Sequence, residues 1–274
     1  MTVSALTITA AVTTATMAAV PGDAQFGGPS TRNFTPPIVF QAAGPNAASL
    51  QAVMDQFRLA IGGNNNGNGG SANSGRREIN WDGGGSTATS EVSTPFSGFL
   101  ANRGALFATP GTGFVQATVE GLATVFGNST YVTEFKAFTL SRLFSPVNSN
   151  ITETTFFIPG SGANPTPALT SAFGAVFSDV DQPDGSGPGN KRGNRGASTL
   201  IQYFGSKGEL LFSSFVPASP GQGTFTFFGI VFADARIASV RILAGDEAGG
   251  PNDEPGRDIV MMDDFIYGEP RIGG

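Results

Sequence analysis

The chain has 274 residues, no cysteine and no histidine, 15 basic and 21 acidic residues, and a charged fraction of only 13%. Those absences exclude disulfides, thiolate chemistry, imidazole–zinc sites and every triad or dyad that takes histidine as its base. The net charge of −6 argues against nucleic acid as a partner, because phosphates call for a basic face, and low charge with 39 glycines and 24 phenylalanines fits an exported β-protein.

Residues 1–24 contain a charge-free apolar run from Leu6 to Val20, followed by Pro21, Gly22, Asp23 and Ala24. This segment resembles the apolar core and small-residue cleavage region of a secretory signal peptide, although no Lys or Arg precedes Arg32. The run is too short and too weakly apolar for a helix of about 20 residues to cross a bilayer, and no second apolar span follows. An extracellular or cell-surface location without a membrane span is expected.

Residues 25–62 read as an arm, extended and punctuated by Pro and Gly as far as Gly44, with an amphipathic helix over 46–61. Leu50, Val53, Met54, Phe57 and Ile61 fall at helical spacing, Asn46 or Ser49 can cap the start, and Gly62 can end it. That apolar stripe must pack on the following domain or on another copy of the chain. Residues 63–75, rich in Asn and Gly, read as a flexible linker and the domain boundary.

From residue 76 short β-runs alternate with turn signals. Strands are predicted over 77–82, 105–108, 113–119, 131–140, 153–158, 172–179, 198–204, 209–216, 224–232, 236–243 and 258–267. Gly205, Ser206, Lys207 and Gly208 form a hairpin turn between two of them. The first and last runs each carry Asp and end in glycine, which suggests that they pair and gather acidic side chains at their junction. The predicted fold over 76–270 is all-β: an antiparallel two-sheet sandwich, jelly-roll-like, large enough to bury a core without disulfides.

Several of these motifs carry a family resemblance. They are the Asp-bearing first strand, the Phe-Gly strand at 172–179, the strand–turn–strand around 205–210, the Phe-rich strand with Gly229, the run 235–242, and the closing Met262-Asp263-Asp264-Phe265. Together they resemble the secreted jelly-roll modules of bacterial exported proteins, many of which carry a PEP-CTERM sorting signal. The resemblance implies a fold shared with carbohydrate-binding modules and lectins. The sorting signal itself is absent from this sequence, and a soluble or surface-associated product is expected.

Acidic residues dominate the candidate chemistry. Asp263 and Asp264 lie in a run that is apolar on both faces, so at least one needs a cation or hydrogen-bond donors. Calcium, which takes carboxylate and backbone oxygens, suits the pair, with Asp82 on the first strand adding a ligand. Neighbouring strand residues point to opposite faces, so both can reach one ion only across a bulge. The competing reading is a carboxylate that accepts backbone N–H bonds or pairs with Arg241 or Arg257. Asp179 and Asp181, followed by Asp184, Gly185 and Gly187, resemble a calcium loop without its closing Glu, and a plain turn is the alternative. The basic, Gly-rich loop 189–196 reads as a solvated tip, with contact to an acidic polymer as the alternative, and the acidic loop around Asp246, Glu247, Asp253 and Glu254 reads as solvated. Trp81, the sole tryptophan, reads as core. The expected function is a secreted, non-enzymatic binding or structural module, calcium-stabilised, engaging a glycan or neighbouring subunits. Two alternatives are carried: a self-assembling surface-layer or filament subunit that docks through its N-terminal arm, and an extracellular polysaccharide hydrolase that uses two carboxylates.

Overall fold

Thirteen strands and four helices occur in the computed structural model, which describes residues 35–181, 198–254 and 256–273. In chain order they are β1 (Ile38–Gly44), α1 (Ala48–Ile61), β2 (Arg76–Ile79), β3 (Ser90–Ser93), α2 (Leu100–Arg103), β4 (Ala105–Ala108) and β5 (Gly113–Ala117). Then come α3 (Val119–Phe126), α4 (Tyr131–Glu134), β6 (Leu143–Val147), β7 (Ile151–Phe156) and β8 (Ala172–Ser178). The last five are β9 (Leu200–Phe204), β10 (Leu210–Phe215), β11 (Phe225–Val231), β12 (Ser239–Leu243) and β13 (Met261–Gly268).

Eight strands form one antiparallel sheet in the order β1-β11-β8-β13-β6-β5-β3, with β2 also paired to β13. Five form the second, in the order β10-β9-β12-β7-β4. The two sheets face one another as the predicted sandwich, over a core unusually rich in rings: Phe107, Phe114, Phe144, Phe156, Phe173 and Tyr203 are all fully buried. Trp81 is core as expected, stacked on Phe144 at 3.7 Å between ring centres. The predicted pairing of the first and last Asp-bearing runs is also present, Phe265 lying opposite Ile79 and Tyr267 opposite Arg77.

Three helices, α1, α3 and α4, cover the outer face of the larger sheet. On α1 the stripe Leu50, Met54 and Phe57 is fully buried against Ala172, Val176, Phe227 and Ile266. Gly174 and Gly229 face each other across β8 and β11, and a Cβ on either would come within 3.0 Å of the Phe57 ring. These two glycines are therefore the socket that receives Phe57, which accounts for the Phe-Gly pattern of both strands. The stripe is satisfied by its own domain, and residues 35–62 belong to the same compact unit as the sandwich. Farther along the same sheet, α3 and α4 bury Leu122, Phe126 and Tyr131 on β5 and β6.

Four local differences from the sequence reading have physical causes. Residues 131–140 are not a strand: Tyr131, Phe135 and Phe138 recur at helical spacing, and after the single turn of α4 the chain becomes a loop whose amides serve buried carboxylates. β6 escapes a strand reading because Pro146 sits within it. α3 has a signal that went unread, a Thr118 cap accepting from the Gly121 amide and a left-handed Gly127 at its end. The segment 63–75 is no free tether. It folds back on itself, Gly63 and Gly75 approaching so closely that a Cβ at Gly63 would meet the Gly75 backbone at 2.7 Å.

Candidate functional site

The closing strand β13 carries the acidic pair, and its register against β8 shifts between Met262 and Phe265. Asp263 and Asp264 together oppose one residue of β8, the bulge that lets both carboxyls turn the same way. They converge with Asp82 on a single hydroxyl. Thr139 Oγ1 lies 2.7 Å from Asp264, 3.2 Å from Asp82 and 3.3 Å from Asp263. Backbone amides take the remaining lone pairs. Ser141 and Arg142 donate to Asp82 at 3.1 and 3.0 Å, and Phe138 donates to Asp263 at 2.6 Å.

All three carboxyls are buried. Burial, and then the charge of Asp264, pushes the Asp263 carboxyl well above the usual carboxylate range. Burial likewise pushes Asp264 up to about 6, against the lowering pull of its hydrogen bonds to Thr139 and Asp263. One hydroxyl has a single proton to donate, so Thr139 serves one of the three carboxyls at a time, and the crowding of like groups favours the neutral form of Asp263. Neither Arg241 nor Arg257 is the partner: they pair with Glu153 and with Asp246 and Glu254.

Asp179 and Asp181 belong to a second acidic group, past the end of β8, with Glu134 and Asp258. Asp179 is only 3% exposed, sits at a left-handed φ of 70°, and has one carboxylate oxygen with no hydrogen-bond partner. Burial, and then the charges of Asp181, Glu134 and Asp258, pushes it up to about 8. Asp181 is exposed and accepts from the Gly221 amide at 2.9 Å. Asp184, Gly185, Gly187 and the basic loop 189–196 lie outside the described residues. Among the described residues no three His, Cys, Asp or Glu side chains are grouped so that they could hold a metal ion. The five residues expected to bind calcium are thus divided between two places, and at the first of them the oxygens are engaged by Thr139 and by amides.

The opposite end of the β2–β13 ladder holds a matched pair that the sequence reading passed over. Arg77 and Glu269 are both buried and joined twice, at 2.6 and 2.7 Å. The other guanidinium donors go to backbone carbonyls of Gly67, Gly69, Gly70 and Asn102, at 2.6 to 3.1 Å. Glu269 also accepts from the Asn66 side chain and the Ala72 amide. The signal was strand alternation in Arg76, Arg77 and Glu78, which turns Arg77 to the face opposite the other two, where a buried arginine must find acceptors.

This network shapes a cavity of about 240 Å³ beside it. Loop 63–75 contributes Asn68, the turn after β2 contributes Asn80, Trp81, Gly83 and Gly84, and α2 with its approach contributes Phe99, Asn102 and Arg103. Arg103 donates Nε to the Asn68 side chain at 2.9 Å and lies over the Phe99 ring, 5.5 Å from its centre. Gly83 and Gly84 adopt φ of 54° and 81°, a left-handed turn that leaves the cavity mouth without side chains. No carboxylate lines this cavity. A second, more open groove of about 600 Å³ runs between α3 and the loop after α4, with Glu120 its one acid and Leu140 and Val132 exposed on its rim.

No helix of the described residues is long and apolar enough to cross a membrane. The chain matches no protein-family model and no curated protein.

Proposed function

We propose that this chain is an exported, non-enzymatic glycan-binding module that takes a sugar ring in the cavity beside Trp81. The observation that carries the reading is the lining. The side chains of Asn68, Asn80, Asn102 and Arg103 supply donors and acceptors, and Phe99 with the edge of Trp81 supplies an apolar wall. The volume lies below the roughly 300–1,000 Å³ of sites for drug-sized ligands, so it suits a single ring. Glycoside hydrolysis needs two carboxyl groups flanking the bond, and neither groove brings two together. The unique Trp81 reports on the cavity directly. Titration with a panel of neutral and acidic mono- and disaccharides is expected to change its fluorescence saturably, and Asn102→Leu to weaken that response. No response to any sugar would overturn the reading.

A second reading, assembly into a surface layer or filament, is favoured by the sheet edges rather than by α1. Edge strand β1 exposes Ile38 at 61% and Val39 at 38%, and edge strand β10 exposes Leu210 at 55% and Phe215 at 41%. Unpaired, apolar edges are templates for another strand. Sedimentation at rising concentration tests it: a concentration-dependent oligomer lost in Val39→Lys supports assembly, and a monomer throughout excludes it.

A further inference from the structure

We propose that the ligand of this cavity carries a carboxylate, that Arg103 reads it, and that the class so defined is the uronic acids of acidic polysaccharides. This deepens the glycan-binding reading and rests on it.

The inference begins with which cations are already matched. Among the described residues, the buried Arg77 and the half-buried Arg58, Arg76, Arg236 and Arg257 each have a carboxylate within 4.0 Å. Arg142 gives its terminal nitrogens to the carbonyls of Trp81 and Ala88. Arg103 is the exception among the half-buried arginines: it has no carboxylate partner, and only its Nε is bonded, to Asn68. A guanidinium has five N–H donors in a planar fork, so the terminal pair is left for something that enters the cavity.

The surroundings make that charge expensive as it stands. Burial, together with the positive charge of nearby Arg77, pushes the Arg103 pKa down, while Tyr267 and Glu78 pull the other way. Glu78 is already held by Arg58 and Arg76 at 3.0 and 2.6 Å. A ligand carboxylate meeting the fork bidentately would supply the missing counter-charge and gain the short, charge-assisted bonds such pairs form. The Phe99 ring behind the guanidinium fixes its plane. The Gly83 and Gly84 amides have no acceptor among the described residues, and the asparagine side chains answer hydroxyl groups. One acidic group on one polyhydroxylated ring fits this set, and a neutral ring leaves the Arg103 fork unmatched.

The test titrates the whole chain, read by Trp81 fluorescence, with galacturonate and glucuronate, with galactose and glucose as neutral counterparts, and with acetate as a bare carboxylate. The uronates are expected to bind at least about tenfold more tightly than the matching neutral sugars. Arg103→Gln is expected to abolish that preference while neutral-sugar binding persists, and Arg103→Lys to restore only part of it, because an ammonium cannot present the fork. Equal affinity for acidic and neutral sugars would overturn the role of Arg103 and leave the glycan-binding reading standing. Acetate binding as tightly as the uronates would overturn the sugar-acid assignment. Silence towards every sugar would remove both readings together.

Discussion

Strand β13 runs between two buried polar sites that solve the same problem in opposite ways. At its far end Glu269 meets Arg77, opposite charges in direct contact, with every guanidinium donor taken by a carboxylate or a loop carbonyl. At its near end Asp263 and Asp264 meet Asp82, like groups around one threonine hydroxyl. The first site needs a complementary charge and a loop of backbone acceptors to wrap it. The second survives by keeping a proton and borrowing backbone amides. The difference teaches where pH and mutation should act: the ion pair depends on both partners being present, while the acidic cluster is stable only in so far as it stays partly neutral.

Breaking the ion pair is expected to have the largest effect. Removing one partner of a buried pair leaves the other charge uncompensated, at a cost of about 3–5 kcal/mol. Arg77→Met or Glu269→Leu alone should therefore lower the melting temperature by on the order of 10 °C, given roughly 2–4 °C per kcal/mol for a domain of this size. The double variant should lose less than the two singles added together, since no lone charge remains. Additive losses in thermal denaturation would mean that the two residues do not act as a pair. Loss of Arg77 should also weaken the Trp81 response to sugars, because the carbonyls of Gly67, Gly69 and Asn102 are held at the cavity wall by this one side chain.

The acidic sites sharpen the contrast through pH. Asp263 is held well above the ordinary carboxylate value, Asp264 is pushed up to about 6 and Asp179 up to about 8. Groups raised in the folded state contribute stability that is complete below about pH 4 and is lost as pH rises through the folded values. Stability should consequently fall between pH 5 and pH 9, by on the order of a few kcal/mol. Glu78 runs the other way: burial would raise it, but its bonds to Arg58 and Arg76 hold it below the usual range, so its contribution is lost only at acid pH, outside that window. Asp179→Asn should flatten the upper half of the curve. A melting temperature that is level or rising from pH 5 to pH 9 would contradict this account.

A smaller change probes the shared hydroxyl. Thr139→Val keeps the shape but removes the donor, leaving carboxylate oxygens unmatched at a cost of about 1–3 kcal/mol. The loss should be larger at pH 8 than at pH 5, because the charged carboxylates need the donor most. Equal losses at both pH values would assign Thr139 a packing role only.

How much of this could be read beforehand follows from which atoms do the work. Side-chain patterns were legible: the helix stripe at Leu50, Met54 and Phe57, the Asp-bearing first and last strands, and the need for a bulge at Asp263 and Asp264 before both could face one place. Backbone partners were not. The amides of Phe138, Ser141 and Arg142 that hold the carboxylates come from a segment whose alternating Phe, Thr and Leu imitate a strand. The carbonyls that hold Arg77 come from a glycine- and asparagine-rich stretch, whose composition reads as linker because glycine's contribution here is an unobstructed main chain. The cavity inherits the same blindness, since its walls are a turn, a loop and a four-residue helix, the last two tied together by Arg77 and by the bond from Arg103 to Asn68.

The smallest expected effect is that of a chelator. A bound calcium ion would stabilise the folded chain, so its removal would lower the melting temperature by an amount set by its affinity. The oxygens of Asp82, Asp263 and Asp264 are already occupied by the Thr139 hydroxyl and five backbone amides. Excess chelator is therefore expected to leave thermal unfolding unchanged. A fall of several degrees, reversed by calcium and not by magnesium, would reject this and point first to Asp179, whose buried oxygen is without a partner. Asp179→Asn would then remove the calcium response, whereas Asp263→Asn would leave it intact. The contrast between the two ends of β13 would hold in either case, with the ion belonging to the acidic group past the end of β8 and not to the strand itself.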